Sequence, residues 1–134
     1  MNQTAVATHK LMGEAKVLLV EDDRSVVRML RISLRNAGFG VHAVETGQAA
    51  LEALHTGVFD VVVLDLGLPD GRSREVLDYL GRQDRTQWIV ITAQDRAEAT
   101  QTYGHLGKHF LAKPFDPWGL VGLIQGLLSN ATAV

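Results

Sequence analysis

From Lys16 onward the chain alternates between short apolar runs and stretches with helical spacing. The runs, rich in Val, Ile and Leu, are Val17–Val20, Val41–Val44, Val61–Leu64, Trp88–Ile91 and Phe110–Ala112. Four of them are nearly continuous, which predicts strands buried on both faces. The exception, Val41-His-Ala-Val44, is expected at a sheet edge. Between the runs, Val26, Val27, Leu30 and Leu34 fall near one face of a first helix that closes at Asn36-Ala-Gly38. Thr46 is placed to N-cap a second helix, which stops at Gly57. Val76, Leu77 and Leu80 mark a third, ending near Gly81. A fourth, Ala97 to Gly104, is weakly signalled, because Thr100, Thr102 and Gly104 disfavour helix. The fifth starts after Pro117 and runs to about Leu128.

This alternation predicts an α/β domain, a parallel sheet of five strands covered on both faces by five helices. Right-handed crossovers leave few topologies, of which the doubly wound, flavodoxin-like order 2-1-3-4-5 is the leading expectation. The chain's 134 residues suit one such domain over residues 16–129. Residues 1–15 lack a clear period and are expected as an N-terminal extension, and residues 130–134 as a tail. The formal charge of -2 offers no basic excess, so no nucleic acid partner is expected. The absence of cysteine excludes disulfides, thiol nucleophiles and zinc-finger sites. No apolar run approaches a membrane span and no secretion signal is visible, so a cytoplasmic protein without membrane contact is expected.

The polar residues that follow the runs carry the chemistry. Val17–Val20 leads into Glu21, Asp22 and Asp23, and Val61–Leu64 into Asp65. Trp88–Ile91 leads into Thr92, and Phe110–Ala112 into Lys113 and Pro114. In a parallel sheet these carboxyl ends share one edge, and ligands bind there where the strand order reverses. In order 2-1-3-4-5 the reversal falls between the first and third strands, the two that end in carboxylates. Glu21, Asp22 and Asp65 repel one another unless a hard cation joins them, and Mg²⁺ suits carboxylates with waters and a phosphate. A carboxylate is also a nucleophile for aspartyl-phosphate formation. Lys113 adds a fixed cation and Thr92 a hydroxyl donor, which completes the parts of a phosphoryl transfer.

These residues resemble the receiver domain of two-component response regulators. The resemblance rests on Val17-Leu-Leu-Val-Glu-Asp-Asp23, Val61-Val-Val-Leu-Asp-Leu-Gly-Leu-Pro-Asp-Gly71, Ile91-Thr-Ala93 and Phe110-Leu-Ala-Lys-Pro-Phe115, and it covers Lys16 to Leu128. It implies that Asp65 is the phosphoacceptor, with Thr92 and Lys113 holding the phosphoryl group. It implies Mg²⁺ on Asp22 and Asp65, on Glu21 through a water, and on the backbone carbonyl of Gly67. Asp23 is not counted as a ligand. It further implies a switch made of Thr92 and the aromatic Phe110, a cis bond before Pro114, and an output face of the fourth helix, fifth strand and fifth helix. The donor would be a histidine kinase or a histidine phosphotransfer protein, and a downstream protein partner would read the result. The length leaves no room for an output domain, so a single-domain regulator is expected. Such a module phosphorylates and dephosphorylates only itself and is not an enzyme on a separate substrate. Two alternatives are a receiver that signals by constitutive binding and a flavodoxin-like Mg²⁺-dependent phosphohydrolase. Against the latter, Gly67 stands where a second acid is needed and no cap insertion is present.

Two departures from the family pattern matter. Ser73 replaces the second glycine after the acceptor, and the chain from Thr92 to Lys113 is about one residue short, near Gly104-His-Leu-Gly107. On the fifth helix, Leu120, Leu123, Ile124 and Leu127 form a core stripe. Gly119, Gly122 and Gly126 form a second face, with Trp118, Val121 and Leu128 expected as exposed apolar area. That uncharged surface is expected as a contact face, including for a homodimer.

Overall fold

The computed structural model describes residues 15–104, 106–107 and 109–132. The expected N-terminal extension falls outside them, apart from Ala15, which is buried and whose carbonyl accepts from the Gly40 amide. The elements alternate throughout as β1 Lys16–Val20, α1 Arg24–Asn36, β2 Gly40–Val44, α2 Gly47–Thr56, β3 Val61–Asp65, α3 Ser73–Gly81, β4 Gln87–Thr92, α4 Arg96–Tyr103, β5 Phe110–Ala112 and α5 Pro117–Thr132. All sheet pairings are parallel, in the order β2-β1-β3-β4-β5. This is the expected flavodoxin-like topology, with the reversal between β1 and β3.

Side chains of a strand alternate between faces, so each central strand feeds two cores. Leu18, Val20, Val62, Leu64 and Val90 pack under α2, α3 and α4 with Ala50, Leu54, Val76, Leu80 and Ala99. Val17, Leu19, Val61, Val63, Ile89 and Ile91 pack on the other face against Leu30, Leu34, Leu120 and Ile124 of α1 and α5. Burial on both faces explains why these runs read as continuous Val, Ile and Leu.

Three expectations need correction. Phe110–Ala112 is not buried on both faces. It is the second edge of the sheet, with Phe110 and Leu111 half-buried and Ala112 exposed. Val121 is not exposed apolar area. It is 4% exposed and belongs to the α1–α5 core, whereas Trp118 is 61% exposed as expected. The last helix begins with Pro117 in its first turn, where a missing amide costs nothing, and continues past Leu128 to Thr132.

Helix ends follow local chemistry. The Thr46 hydroxyl accepts from the Ala49 amide at 3.0 Å, as expected of an N-cap. Asp23 caps α1, accepting from the Ser25 and Val26 amides at 3.0 and 3.4 Å. The weakly signalled α4 does form. Asp95 caps it through the Glu98 amide at 2.8 Å, and Gly104 ends it with a φ of 78°. Its hold on the core is slight, since only Ala99 in it is fully buried. No helix among the described residues is long and apolar enough to cross a membrane.

Candidate functional site

Each site residue is delivered by the end of a buried strand. β1 emerges from the core at Glu21, whose amide donates to the Val44 carbonyl of β2 at 3.0 Å. The Glu21 side chain is fully buried and turns back on its own chain, where Oε2 accepts from the Asp22 and Asp23 amides at 3.0 and 3.4 Å. Asp22, next along, is exposed. Asp23 is engaged by the helix cap. The Ser25 hydroxyl and the Val26 and Ser25 amides hold its carboxyl below the ordinary 3.8.

β3 delivers Asp65, 4% exposed, with Oδ1 accepting from the Gly67 amide at 3.1 Å. Lys113, just beyond β5, bridges the two strands. Its Nζ donates to Asp65 Oδ2 at 3.1 Å and to Glu21 Oε1 at 2.5 Å. The Lys113 amide donates to the Thr92 carbonyl at 2.7 Å, which fixes where its side chain starts. The Lys113–Pro114 bond is cis.

Glu21, Asp22 and Asp65 each offer a carboxylate oxygen, all within 4.8 Å of one another. Burial is the main force raising the Glu21 pKa to about 7, and the hydrogen bond with Asp65 adds to it, while Lys113 pulls the other way. On Lys113 itself burial opposes the charge, but the hydrogen bonds to Glu21 and Asp65 outweigh it and lift its pKa above 10.5. One ammonium thus serves a cluster with more carboxylates than it can neutralise. The oxygen-only donor set and the raised Glu21 fit a hard divalent cation such as Mg²⁺.

Thr92 ends β4 and is 3% exposed. Its Oγ1 accepts from the Gln94 amide at 3.3 Å. It lies one position beyond Ile91, the register partner of Asp65. Phe110 is set back from the cluster at the start of β5, paired with Val90. It is half-buried, with the Arg96 guanidinium of α4 at 5.7 Å from its ring centroid. Gly67 is placed by its amide. The structure therefore brings Glu21, Asp22 and Asp65 together, with Lys113 bonded to Glu21 and Asp65, Thr92 on the adjoining strand end and Phe110 behind.

Residue-by-residue reading of the sequence missed the props of the acceptor loop. The buried Ser73 hydroxyl donates to the Leu66 carbonyl at 2.7 Å, and the Tyr103 hydroxyl of α4 donates to the same oxygen at 3.0 Å. Asp70 accepts from the Gly47 and Gln48 amides at 3.0 and 2.9 Å, tying the loop to the start of α2. The departure from glycine at Ser73 was the visible signal for the first. Nothing in local spacing marks Tyr103, 37 residues from Leu66 in sequence.

A family model described as response regulator receiver domain matches residues 17–125. Response regulator ArlR of Staphylococcus aureus is 28% identical over 114 residues, covering 84% of this chain and 52% of that protein. The chain thus spans about half the length of the curated relatives it matches. Among solved structures, the Francisella response regulator 1452 receiver domain superposes with a TM-score of 0.75 at 25% identity, covering 87% of this chain and 98% of that one. A response regulator receiver protein from Burkholderia phymatum gives 0.71 at 29% identity, covering 86% and 95%.

Proposed function

The chain belongs to the response regulator receiver domain family, and from that premise we propose that it accepts a phosphoryl group on Asp65 and changes its protein contacts in response. The observation that carries this reading is the bridge from Lys113 Nζ to both Asp65 Oδ2 and Glu21 Oε1, with Asp22 beside them. Asp65 is tied to a backbone amide through one oxygen and to Lys113 through the other, so both oxygens are oriented before any donor arrives.

An Asp65 oxygen forms a bond to phosphorus as the donor's phosphorus–nitrogen bond breaks. The electron pair leaves on the imidazole nitrogen of a histidine kinase or histidine phosphotransfer protein, which then takes up a proton. Lys113 holds charge that develops on the phosphoryl oxygens, and the Thr92 hydroxyl turns from the Gln94 amide to donate to one of them. Glu21, Asp22, Asp65 and the Gly67 carbonyl would hold Mg²⁺, Glu21 through a water, and the bound ion would neutralise further phosphoryl charge. Movement of Thr92 opens space toward Phe110, which Arg96 covers. The surface of α4, β5 and α5 then favours a different protein partner, a population shift set by contacts that exist only in the phosphorylated state.

Acetyl phosphate with Mg²⁺ should add one phosphoryl group by intact mass, and Asp65→Asn should abolish it. Beryllofluoride should move the amide resonances of Thr92 and Phe110. Unchanged labelling of Asp65→Asn overturns the assignment of the acceptor.

A further inference from the structure

The peptide unit between Leu66 and Gly67 is held at both of its polar ends. Its carbonyl, on Leu66, accepts from the Ser73 hydroxyl of α3 at 2.7 Å and from the Tyr103 hydroxyl of α4 at 3.0 Å. Its amide, on Gly67, donates to Asp65 Oδ1 at 3.1 Å. The chain enters this unit from a fixed point, because the Leu66 amide donates to the Ile91 carbonyl of β4 at 3.3 Å. The two hydroxyls come from helices that are themselves joined. Arg74, next to Ser73, donates to the Thr102 carbonyl, and its guanidinium lies 5.7 Å from the centroid of the Tyr103 ring.

One hydroxyl is enough to satisfy a buried carbonyl, so satisfaction alone explains only one of the two. The second comes from the helix with the slightest hold on the core, and ordering its tyrosine costs side-chain entropy. What two donors add is direction. Donors to a carbonyl lie near its plane, along its two lone pairs, so a pair of them fixes that plane where one leaves it freer to turn. The peptide is planar, so fixing the carbonyl also fixes where the Gly67 N–H points. A carbonyl that accepts two bonds further makes the amide of its own peptide a stronger donor. We infer that Ser73 and Tyr103 are positioning residues for the acceptor, aiming the Gly67 amide at Asp65 Oδ1 through the Leu66–Gly67 peptide and so holding the carboxylate in one orientation. The inference rests on Asp65 being the acceptor. It adds to that reading two side chains from outside the strand-end motifs, one of them on α4, that act without hydrogen-bonding the carboxylate themselves.

The test follows the initial rate of acetyl phosphate labelling of the full chain with Mg²⁺, by intact mass, in the wild type, Tyr103→Phe, Ser73→Ala, Tyr79→Phe and Asp65→Asn. Tyr103→Phe and Ser73→Ala should each slow labelling by about fivefold, the worth of one hydrogen bond. Tyr79→Phe also removes a tyrosine hydroxyl, but one that meets the Leu54 carbonyl of α2 at 3.5 Å, and it should label like the wild type. A spectroscopic readout taken without any phosphodonor separates aim from mere stability. The Gly67 amide proton should move upfield in Tyr103→Phe and in Ser73→Ala as its bond to Asp65 weakens, and should stay in place in Tyr79→Phe. Circular dichroism should show every variant folded at the labelling temperature. With Asp65→Asn unlabelled, full-rate labelling of Tyr103→Phe or Ser73→Ala, an unmoved Gly67 amide in either, or equal slowing in Tyr79→Phe would overturn the inference and leave Asp65 as acceptor. Labelling of Asp65→Asn at the wild-type rate would overturn both.

Discussion

Raising the pH of the metal-free protein from about 5 to about 8 is expected to destabilise it, and Glu21 sets the size of the effect. Its pKa rises from 4.5 in the unfolded chain to about 7 in the fold, chiefly through burial and then through Asp65. Between those values the folded protein keeps a proton that the unfolded chain has released. Stability contributed by the neutral acid is therefore present below 4.5 and lost as pH climbs through 7. At 1.36 kcal/mol per unit, the loss is about 3 kcal/mol. The side chain has no solvent exposure, so screening by water does little to reduce it. The other shifted groups act outside this window. Asp23 and Asp70, both lowered from 3.8, contribute stability above that value and lose it only in stronger acid. Lys113, raised from 10.5, contributes below that value and loses it only in stronger alkali.

Urea denaturation in a chelating buffer, run across that range for the wild type and for Glu21→Gln, measures the difference directly. Subtracting the variant removes every titration common to both. The wild type should lose about 3 kcal/mol relative to Glu21→Gln on going up in pH. Mg²⁺ should restore stability at the alkaline end, by about 2.7 kcal/mol at a hundredfold excess over its dissociation constant. It should do less in acid, where the proton competes for the same carboxylate. A difference that stays flat, or a wild type that gains on the variant as pH rises, would falsify the claim that burial of Glu21 is what frustrates the metal-free site.

Three further outcomes are expected. Asp65→Asn should raise metal-free stability by about 1 kcal/mol at neutral pH, because it removes one of three clustered like charges; a marked drop in melting temperature would contradict this. Ser73→Ala and Tyr103→Phe each remove one of two hydroxyls on the Leu66 carbonyl and should cost about 1 kcal/mol apiece. The double variant should cost more than their sum, since it leaves that oxygen without a side-chain donor; strict additivity would show that the two bonds are independent. Gly107→Ala should cost about 2 kcal/mol or more by chemical denaturation. It puts a Cβ 2.7 Å from Trp88 Nε1 at a φ of +79°, and a neutral result would mean the loop yields freely.

The legible parts of this protein were those where one residue type answers one local demand. A strand buried on both faces can only be apolar, so the central strands announced themselves, and the residue that ends each one sits at the shared edge. The edge strand Phe110–Ala112 was misread because its apolar character serves one partner strand and one face, which a short run cannot distinguish from two. Val121 was misread because the α5 contact with α1 is wider than the four-residue stripe that spacing suggested. Ser73 and Tyr103 were illegible in role for a different reason. Both serve a backbone carbonyl, which carries no sequence identity, and the chain must be folded before that carbonyl has a place.

Those two hydroxyls also bear on how a change at Asp65 could be felt elsewhere. α4 has little core to hold it, with Ala99 its one fully buried residue. What fixes its far end is Tyr103, bonded to the carbonyl immediately after Asp65 and covered by the Arg74 guanidinium at 5.7 Å from the ring centroid. At its near end Arg96 sits over Phe110. A helix secured mainly by two such contacts can be repositioned by an energy of the order of one hydrogen bond, about 1 kcal/mol, whereas α1 and α5, packed through Leu30, Leu34, Leu120, Val121 and Ile124, cannot. The weak helical signal between Ala97 and Gly104 is thus the trace of a division of labour. If Asp65 is the acceptor as proposed, the strong sequence patterns belong to the elements that would stay fixed, and the weak pattern belongs to the one with the fewest core contacts to hold it.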